Sequence, residues 1–357
     1  MSKNLFLTWK FRIYYSFTGC LHRFLQIFFK RLIPKPTEGP PKKLLLTNWG
    51  ALGDLVLSTG VIAEIKATYP NCKIGLAVSS ESKVVCSTSP SVDWIHVLKP
   101  WALQGRNIGQ KILSLLRFTF IEQIRAVKEI KSIGYDTAIE LRPFCPNVIP
   151  IFWKAKIPLR IGFKTSGNDK LLNAPAEWIG GEYLPHCYWP LLGKIGIESK
   201  NTLMPQMILK MDHPRLAKKP YLLFHLCASD AIKEMPIEFW KALYSKCKEM
   251  GWNIYFTGRG ERELKMIEQV TKIPEEILCN KLSWEQLVQH IKECRGIVSI
   301  DSVPIHLAAS FGVPTVALFR CTINPILWKP SVPTTKALGI EKPVKMEDVL
   351  QEIKAWQ

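Results

Sequence analysis

Short apolar runs alternate with stretches of helical spacing along this sequence, and the whole pattern occurs twice. The apolar runs read as strands over 43–47, 73–78, 94–98 and 135–141, and again, after Pro220, over 221–225, 253–257, 296–300 and 314–319. Helical spacing is found over 55–69, 109–133, 236–250, 284–292 and from about Pro304. Strands that alternate with helices indicate βαβ units and parallel sheets. Because 357 residues exceed what one core usually holds, we predict an α/β protein with two doubly wound, Rossmann-like domains.

The same pattern predicts the domain boundaries. We expect an N-terminal domain over 43–205 and a C-terminal domain over 206–340, facing each other across a central cleft. A helix is expected over 341–357. Packing of this helix back on the N-terminal domain is left open. Ligands of open parallel sheets bind beyond the carboxyl ends of the strands. The residues directly after each strand are therefore the candidates for a site.

The first 43 residues differ from the rest of the chain in charge. The chain carries a formal net charge of +18, which implies an anionic partner such as nucleic acid, an anionic membrane or a phosphorylated substrate. Residues 1–43 hold nine basic residues and one acidic residue, so they contribute +8 of this total. On a helix, Arg12, Arg23 and Lys30 gather opposite an apolar, aromatic-rich side. We predict that residues 1–33 form a basic amphipathic helix whose residues 11–33 lie on an anionic membrane surface.

Other structures fit this segment less well. A signal peptide needs an uninterrupted apolar stretch and a small-residue cleavage site, whereas His22 and Arg23 interrupt the stretch. A membrane-spanning helix would hold Arg23 deep in the bilayer. A helix packed on the protein's own core is the remaining alternative. The proline-rich residues 34–42 favour the membrane surface, because they form a stiff linker that separates the helix from the globular body.

The cysteines bear on the compartment. Ten of them are scattered along the chain with no C-x-x-C pair, which argues against a zinc ribbon or a redox motif. Without a signal peptide, this pattern predicts reduced and mostly buried thiols in a cytosolic protein. We therefore expect a cytoplasmic protein that is peripheral to the inner face of the membrane.

A turn with two glycines follows the first strand. Gly50, Gly53 and Asp54 lie between this strand and the first helix. Glycines let the backbone approach a ligand, and a helix N-terminus offers free N–H groups. The turn is neither G-x-G-x-x-G nor a P-loop. Asp54 is either a helix cap that complements the helix dipole or a general base that faces the cleft.

Two segments of the second half follow strands in the same way. Ser229 and Lys233 lie between a strand and a helix, where a hydroxyl and a lysine suit a phosphate, although Lys233 alone reads first as a solvated loop residue. Asp301 ends a strand, and His306 lies on the next helix. Singly, Asp301 or Ser302 fits an ordinary N-cap, and His306 fits a core or capping histidine. The constellation as a whole favours a functional site.

These segments, in this order, resemble glycosyltransferase family 9, the ADP-heptose:lipopolysaccharide heptosyltransferases of GT-B fold. Residues 50–54 resemble the family's G-D turn, and 135–141 with 160–163 resemble its central strand and R-x-G segment. Residues 229–236 look like its phosphate-contacting loop, and 301–309 resemble the signature D-[ST]-G-x-x-H-x-A-A. The resemblance covers nearly the whole body of the chain.

The resemblance implies roles for individual residues. Asp54 would be the catalytic base that deprotonates an acceptor hydroxyl, so that the sugar is transferred with inversion at its anomeric carbon. Lys233 and Ser229 would contact the donor diphosphate, and Glu261 would lie near the nucleoside ribose. The implied donor-binding residues are Ser229, Lys233, Glu261, Asp301, Ser302, His306 and Arg320, and the implied acceptor-binding residues are Gly53, Arg142 and Arg160. Neither a metal nor a cofactor is expected, and the resemblance implies a nucleotide-diphosphate sugar, ADP-linked in this family, as the donor.

Two departures from the family pattern concern the donor pocket. Val303 replaces the glycine of the signature, at a point where a phosphate should approach closely. Arg320 and Cys321 replace the family's usual glycine and proline after a strand. Arg320 is either an added phosphate contact or a block to the pocket.

We therefore predict an inverting, metal-independent glycosyltransferase. It would move a sugar, with heptose as the family's commonest donor sugar, to a lipopolysaccharide-core or other phosphorylated or lipid-linked glycan. The alternative is a catalytically impaired family member that binds a sugar nucleotide or a glycan at the membrane. A nucleic-acid binder is disfavoured, because the sequence has no zinc finger or RNP-like motif. A dinucleotide-dependent oxidoreductase is disfavoured because G-x-G-x-x-G is missing.

Overall fold

A computed structural model of the protein describes residues 35–36, 38–87, 89–98, 121–145, 147–200, 202–207, 219–320 and 324–357. The amphipathic segment predicted over 11–33 and the first half of the helix predicted over 109–133 lie outside these residues. The chain forms two units, the first ending at Leu203 and the second holding Met204–Gln357 together with Gly181–Leu184. Within the described ranges, no helix is both long enough and apolar enough to cross a bilayer.

The first unit is built on a six-stranded sheet whose strands all pair in parallel. Its strands are β1 (Lys43–Asn48), β2 (Lys73–Val78), β3 (Trp94–Val97), β4 (Thr137–Glu140), β5 (Leu159–Phe163) and β6 (Ala174–Ala176). They lie in the order β3-β2-β1-β4-β5-β6. The uninterrupted run Leu44–Leu46 is fully buried, which is what a central strand covered on both faces requires.

Helices of the first unit cover this sheet. They are α1 (Leu52–Thr68), α2 (Lys83–Cys86), α3 (Gln123–Ile133), α4 (Ile149–Lys154) and α5 (Trp189–Leu192). In the core, Ala126 and Ile130 of α3 and Phe152 of α4 pack with Leu45 of β1. Helix α3 is the described part of the basic amphipathic helix predicted over 109–133, and it ends at Gly134, whose φ of 72° suits a glycine.

The second unit is built on a five-stranded sheet, again with parallel pairs throughout. Its strands are β7 (Tyr221–His225), β8 (Asn253–Thr257), β9 (Gly296–Ile300), β10 (Thr315–Leu318) and β11 (Thr335–Leu338). They lie in the order β11-β10-β9-β7-β8. The four strands predicted in this half of the sequence are β7 to β10.

Helices of the second unit are α6 (Ile237–Glu249), α7 (Glu261–Ile267), α8 (Trp284–Glu293), α9 (Val303–Ser310), α10 (Pro325–Trp328) and α11 (Met346–Lys354). Val349 and Ile353 of α11, and Trp356 after it, lie in the core of this unit. A Cβ on Gly296 would come within 2.3 Å of the Trp356 ring, so the glycine at the start of β9 makes room for this packing. The structure therefore assigns α11 to the core of the second unit, whereas the sequence pattern left packing on the N-terminal domain open as an option.

Each sheet has one point at which the strand order reverses direction. In the first unit it lies between β1 and β4, and in the second between β7 and β9. The loops beyond the carboxyl ends of two such strands run apart and leave a crevice, which is where doubly wound sheets bind ligands. The turn with Asp54 follows β1, the loop with Lys233 follows β7, and Asp301 follows β9. The topology thus brings most of the predicted residues to the two crevices.

Candidate active site

Asp54 lies in the first turn of α1, directly beyond β1. Its Oδ2 accepts a hydrogen bond from the Ala51 N–H at 2.8 Å, so the carboxylate does cap the helix. Its Oδ1 accepts no hydrogen bond from the residues that the structure describes. The side chain is half-buried. One carboxylate oxygen therefore fixes the orientation of Asp54 while the other remains available as a proton acceptor.

The turn before Asp54 is shaped by Asn48, a strand-end residue that no motif in the sequence marks. The Asn48 Oδ1 accepts from the Gly50 N–H, and its Nδ2 donates to the Asp54 carbonyl, both at 3.0 Å. A Cβ on Gly50 would lie 2.1 Å from the Asp54 Oδ2. Only glycine therefore lets the carboxylate fold back over the turn. Gly53 occupies the first turn of α1, where backbone N–H groups have no acceptor within the helix.

Arg142 joins Asp54 from the other side of the crevice. Its Nη1 donates to the Trp49 carbonyl at 3.0 Å, which ties the loop after β4 to the turn after β1. Burial alone lowers the pKa of the Arg142 guanidinium, but neighbouring acids, Asp54 foremost, outweigh this and raise it. Arg142 is thus a permanent positive charge in the electrostatic field of the Asp54 carboxylate.

A buried carboxyl group lies directly behind Arg142. Glu140 is fully buried at the end of β4 and faces Thr47 of β1 in the sheet register. Its Oε2 accepts from the Thr47 hydroxyl at 2.6 Å, and its Oε1 accepts from the Arg142 N–H at 2.9 Å. Burial raises the pKa of Glu140 to about 7, although these two hydrogen bonds and the Arg142 charge favour the ionised form.

The raised pKa of Glu140 predicts a pH dependence of stability. Because the folded pKa of about 7 exceeds the unfolded value of 4.5, the folded state holds this proton more tightly. Its contribution to stability is complete below pH 4.5 and is lost as the pH rises to about 7. We expect Glu140→Gln to flatten the fall in the free energy of unfolding between pH 5 and pH 8, measured by urea titration. As a control, Glu198→Gln at an exposed position should show the same slope of unfolding free energy against pH as the wild-type protein. If Glu140→Gln also keeps the wild-type slope, the raised pKa of Glu140 is refuted.

Arg160 does not join this group. It lies near the amino end of β5, away from the carboxyl ends of the strands, and only 7% of it is exposed. Its guanidinium donates to the carbonyls of Leu171, Ile157 and Pro158 at 2.8, 2.8 and 3.2 Å. The acceptor-binding role predicted for Arg160 is corrected for this reason: its donors already hold the loops around β5.

In the second unit, two predicted residues meet directly. The Lys233 Nζ donates to the Asp301 Oδ2 at 2.8 Å, which joins the loop after β7 to the end of β9. The Asp301 side chain is 4% exposed and the Lys233 side chain 28%. Lys233 is therefore not a solvated loop lysine. A buried carboxylate orients it, and part of the Lys233 side chain stays exposed.

His306 lies next to this ion pair on α9. It is buried, and its Nδ1 has no hydrogen-bond partner in the part of the chain that the structure describes. Burial and the Lys233 charge lower its pKa to about 4, against the opposing effect of Asp301. His306 is therefore neutral at physiological pH.

Helix α9 begins at the crevice. Ser302 is its N-cap residue, yet its hydroxyl makes no capping hydrogen bond, which leaves that hydroxyl for another partner. Val303 is the first helical residue and Pro304 follows it. Val303 does not have a positive φ, so its backbone conformation does not require the glycine of the family signature. Its side chain adds bulk at the helix start.

The other predicted donor residues lie along the same edge of the second sheet. Ser229 is exposed in the loop after β7, and Glu261 is exposed at the start of α7, which follows β8. Arg320 follows β10, and its Nη1 donates to the Glu234 carbonyl at 2.6 Å. Arg320 thus reaches the loop that carries Lys233. It is partnered through one nitrogen, and the residue as a whole is exposed.

Sequence reasoning missed two residues of this region, Glu234 and Arg262. They form an ion pair in which the Arg262 Nη2 lies 2.7 Å from the Glu234 Oε1. Neither residue stands out in the sequence, because each is an ordinary charge in a loop or helix and 28 positions separate them. Within the described ranges, no group of three or more His, Cys, Asp or Glu side chains has the arrangement of a metal site.

Comparison with known proteins bears on both halves of the chain. The sequence model described as "Glycosyltransferase family 9 (heptosyltransferase)" matches residues 195–354. The "Lipopolysaccharide core heptosyltransferase OpsX" of Haemophilus influenzae is 23% identical over 302 residues, which make up 80% of this chain and 81% of the relative. The similarity to this relative therefore extends well beyond the second unit.

Solved structures show the same fold. The glycosyl transferase family 9 structure from Veillonella parvula superimposes with a TM-score of 0.73 at 17% identity and covers 91% of this chain and 98% of that one. The E. coli heptosyltransferase WaaC with ADP-2-deoxy-2-fluoro heptose gives a TM-score of 0.71 at 14% identity, over 88% and 99% of the two chains.

Two parallel α/β sheets that match these structures define the GT-B fold. The crevice of the first unit holds the Asp54 carboxylate, and the crevice of the second unit holds the Lys233 cation. The protein is a glycosyltransferase. Within that class, the chain is similar to glycosyltransferase family 9, whose sequence model matches residues 195–354, and to relatives named as lipopolysaccharide heptosyltransferases.

Proposed function

We propose that this enzyme transfers a heptose, with inversion and without a metal ion, from an ADP-linked donor to a lipopolysaccharide-core or other lipid-linked glycan. The observation that carries the proposal is the pair Lys233–Asp301 at the strand-order reversal of the second unit. It places an oriented cation where a doubly wound sheet binds a ligand. The sugar and the nucleobase come from the relatives: one is named a heptosyltransferase of the lipopolysaccharide core, and one structure contains an ADP-heptose analogue.

On the donor side, the reaction breaks the bond between the anomeric carbon and a diphosphate oxygen, and the electron pair stays on that oxygen. Lys233 offsets the charge that develops there. Arg320, which is exposed after β10 and bonded to the loop that carries Lys233, supplies a second cation. The N–H groups at the start of α9 offer further donors to the diphosphate. Since His306 is neutral, it contributes polarity to the pocket without competing with the cations.

On the acceptor side, Asp54 takes the proton of the attacking hydroxyl, whose oxygen forms the new bond to the anomeric carbon. Attack opposite the leaving group inverts the configuration. The Asp54 Oδ2 stays bound to the Ala51 N–H, so the second oxygen receives the proton. Arg142, whose pKa is raised by the nearby Asp54, offers a positive charge to a phosphorylated acceptor.

The direct test is to screen sugar nucleotides for thermal stabilisation of the purified protein and then to measure transfer. A ligand that binds only the native state raises the melting temperature. We expect ADP-heptose and ADP to stabilise the protein, and other nucleotide sugars to do so less. Stabilisation by none of them, in a folded protein, would refute the donor assignment.

The same experiment distinguishes the proposed transferase from a second candidate, a catalytically impaired family member. Val303 adds bulk at the start of α9, and Arg320 stands where the family has a smaller residue. These two side chains favour a protein that binds its donor without transferring the sugar. Stabilisation by a sugar nucleotide with no transfer to any heptose-deficient lipopolysaccharide acceptor would support this candidate.

We propose in addition that the enzyme works at the cytoplasmic face of the membrane, held there by residues 11–33. Deletion of residues 1–35 should release the protein into the soluble fraction and leave transfer to a soluble acceptor largely intact, because the described strands begin at Lys43. The measurement is fractionation of cell lysates beside an activity assay. A truncated protein that still sediments with membranes would overturn the anchor assignment.

A further inference from the structure

The turn that carries Lys233 has no anchor of its own in the core. Residues Ala231–Lys233 form a single 3₁₀ turn that buries none of its side chains, and Ile232 is 57% exposed. The side chain of Asp230 caps the turn by accepting from the Ile232 N–H at 3.2 Å. This contact shapes the turn but does not attach it to the sheet. Polar contacts from elsewhere must therefore fix the place of Lys233.

Glu234, the next residue, supplies the first of these contacts. It is 8% exposed, and its Oε1 accepts from the Ala228 N–H at 3.0 Å. This hydrogen bond closes the loop between β7 and α6 on itself. A buried carboxylate with a single hydrogen bond would be costly, so the charge of Glu234 requires a cationic partner.

Arg262 of α7 is that partner. Its Nη1 donates to the Glu234 Oε2 at 2.9 Å, and its Nη2 donates to the Glu234 Oε1 at 2.7 Å. The same Nη2 donates to the Ala228 carbonyl at 2.8 Å. The guanidinium fork thus binds both ends of the loop at once, with the bidentate geometry of the strongest ion pairs. The hydrogen bond to Glu234 also raises the pKa of Arg262.

Arg320 holds the loop from a third direction. Its Nη1 donates to the backbone carbonyl of Glu234 at 2.6 Å, from the end of β10. The loop after β7 is therefore attached to α7, which follows β8, and to the end of β10. Both attachments meet at the residue adjacent to Lys233, whose ammonium group in turn meets Asp301 at the end of β9.

We propose that Glu234 and Arg262 are positioning residues that hold Lys233 in place for the donor diphosphate. The role of Lys233 in this inference rests on the proposed function. The attachment of its loop to Arg262 and Arg320 rests on the observed contacts alone. Glu234 has no free carboxylate oxygen to offer a substrate, because both oxygens are bound to Arg262. Its effect on the reaction passes through the loop, and so it should appear in donor binding and not in acceptor binding.

The kinetic test uses Glu234→Gln, Arg262→Met and the double variant. We expect each single variant to raise the KM for the donor and the Kd for ADP by about tenfold, the scale of a lost charge-assisted hydrogen bond. The KM for the acceptor should stay within about twofold. Because the two residues act as one unit, the double variant should be no worse than the poorer single variant. Glu238→Gln and Lys241→Met remove an exposed ion pair on α6 and should change neither constant.

A second measurement keeps the inference separate from the proposed function. Hydrogen exchange of the full chain should show faster exchange over residues 226–235 in both single variants, with the strands of the second sheet unchanged. If the wild-type protein binds no ADP and transfers no sugar, the proposed function fails while this readout still tests the attachment. Unchanged exchange in the loop, additive losses in the double variant, or equal rises in the two KM values would each overturn the positioning role.

Discussion

Replacement of Asp54 by asparagine is expected to abolish sugar transfer while donor binding persists. The asparagine Oδ1 can still accept the Ala51 N–H hydrogen bond, so the turn after β1 keeps its shape. What is lost is the basic oxygen that takes the acceptor proton. We expect kcat to fall by about 10²- to 10⁴-fold, the usual contribution of a general base. Single-turnover assays with excess enzyme would measure this fall.

Asp136 offers a matched control for this substitution. Its Oδ2 accepts hydrogen bonds from the backbone N–H groups of Lys42 and Lys43, at the opposite end of the same sheet. Asp136→Asn therefore alters a carboxylate that caps backbone groups but faces no crevice at the carboxyl edge. Its turnover per folded molecule should match that of the wild-type protein. Near-normal turnover in Asp54→Asn would exclude Asp54 as the base.

The second large effect is expected for Lys233→Met. Removal of the cation leaves the developing charge of the leaving diphosphate unbalanced, and kcat/KM should fall on the order of 10²- to 10³-fold. The substitution also removes the Lys233 ion pair from the buried Asp301 carboxylate, which should lower the melting temperature. Steady-state kinetics and thermal unfolding of the same preparation would report the two effects together.

A double variant separates the catalytic effect of Lys233 from its effect on stability. Adding Asp301→Asn to Lys233→Met removes the buried charge, so the melting temperature should recover while kcat/KM stays low. Lys241→Met, at an exposed position on α6, controls for the loss of a lysine as such. Recovery of activity in the double variant would mean that Lys233 only neutralises Asp301.

The elements that could be predicted from the sequence are those with a strong local signal. The apolar run of β1 and the run of β7 were predicted to within a residue, because a strand buried on both faces is apolar at nearly every position. Three strands are not predicted: β5 contains Arg160 and Gly162, β6 has three residues and includes Pro175, and β11 is half-polar with Lys336 in it. Helix α7 was missed too, since a short helix with charges at four of its seven positions carries little apolar periodicity.

Site residues could be predicted where a motif orders them along the chain, but their partners could not. Lys233 and Asp301 were both named, yet their contact joins positions 68 residues apart and depends on β7 lying beside β9. Arg160 was misplaced for the converse reason. A motif position gives the residue but not the end of the strand on which it lies, and Arg160 lies at the amino end.

The strand order of the first sheet also affects how the chain assembles during synthesis. Strand β2, one partner of β1, begins about thirty residues after it, but the other partner, β4, begins about ninety residues further on. At about 5–20 residues per second, the second edge of β1 stays unpaired for roughly 5 to 20 s. An open, apolar edge of this kind can pair with another nascent chain. The Asp54 turn is thus translated early, and it gains Glu140 and Arg142 behind it only once this edge has closed.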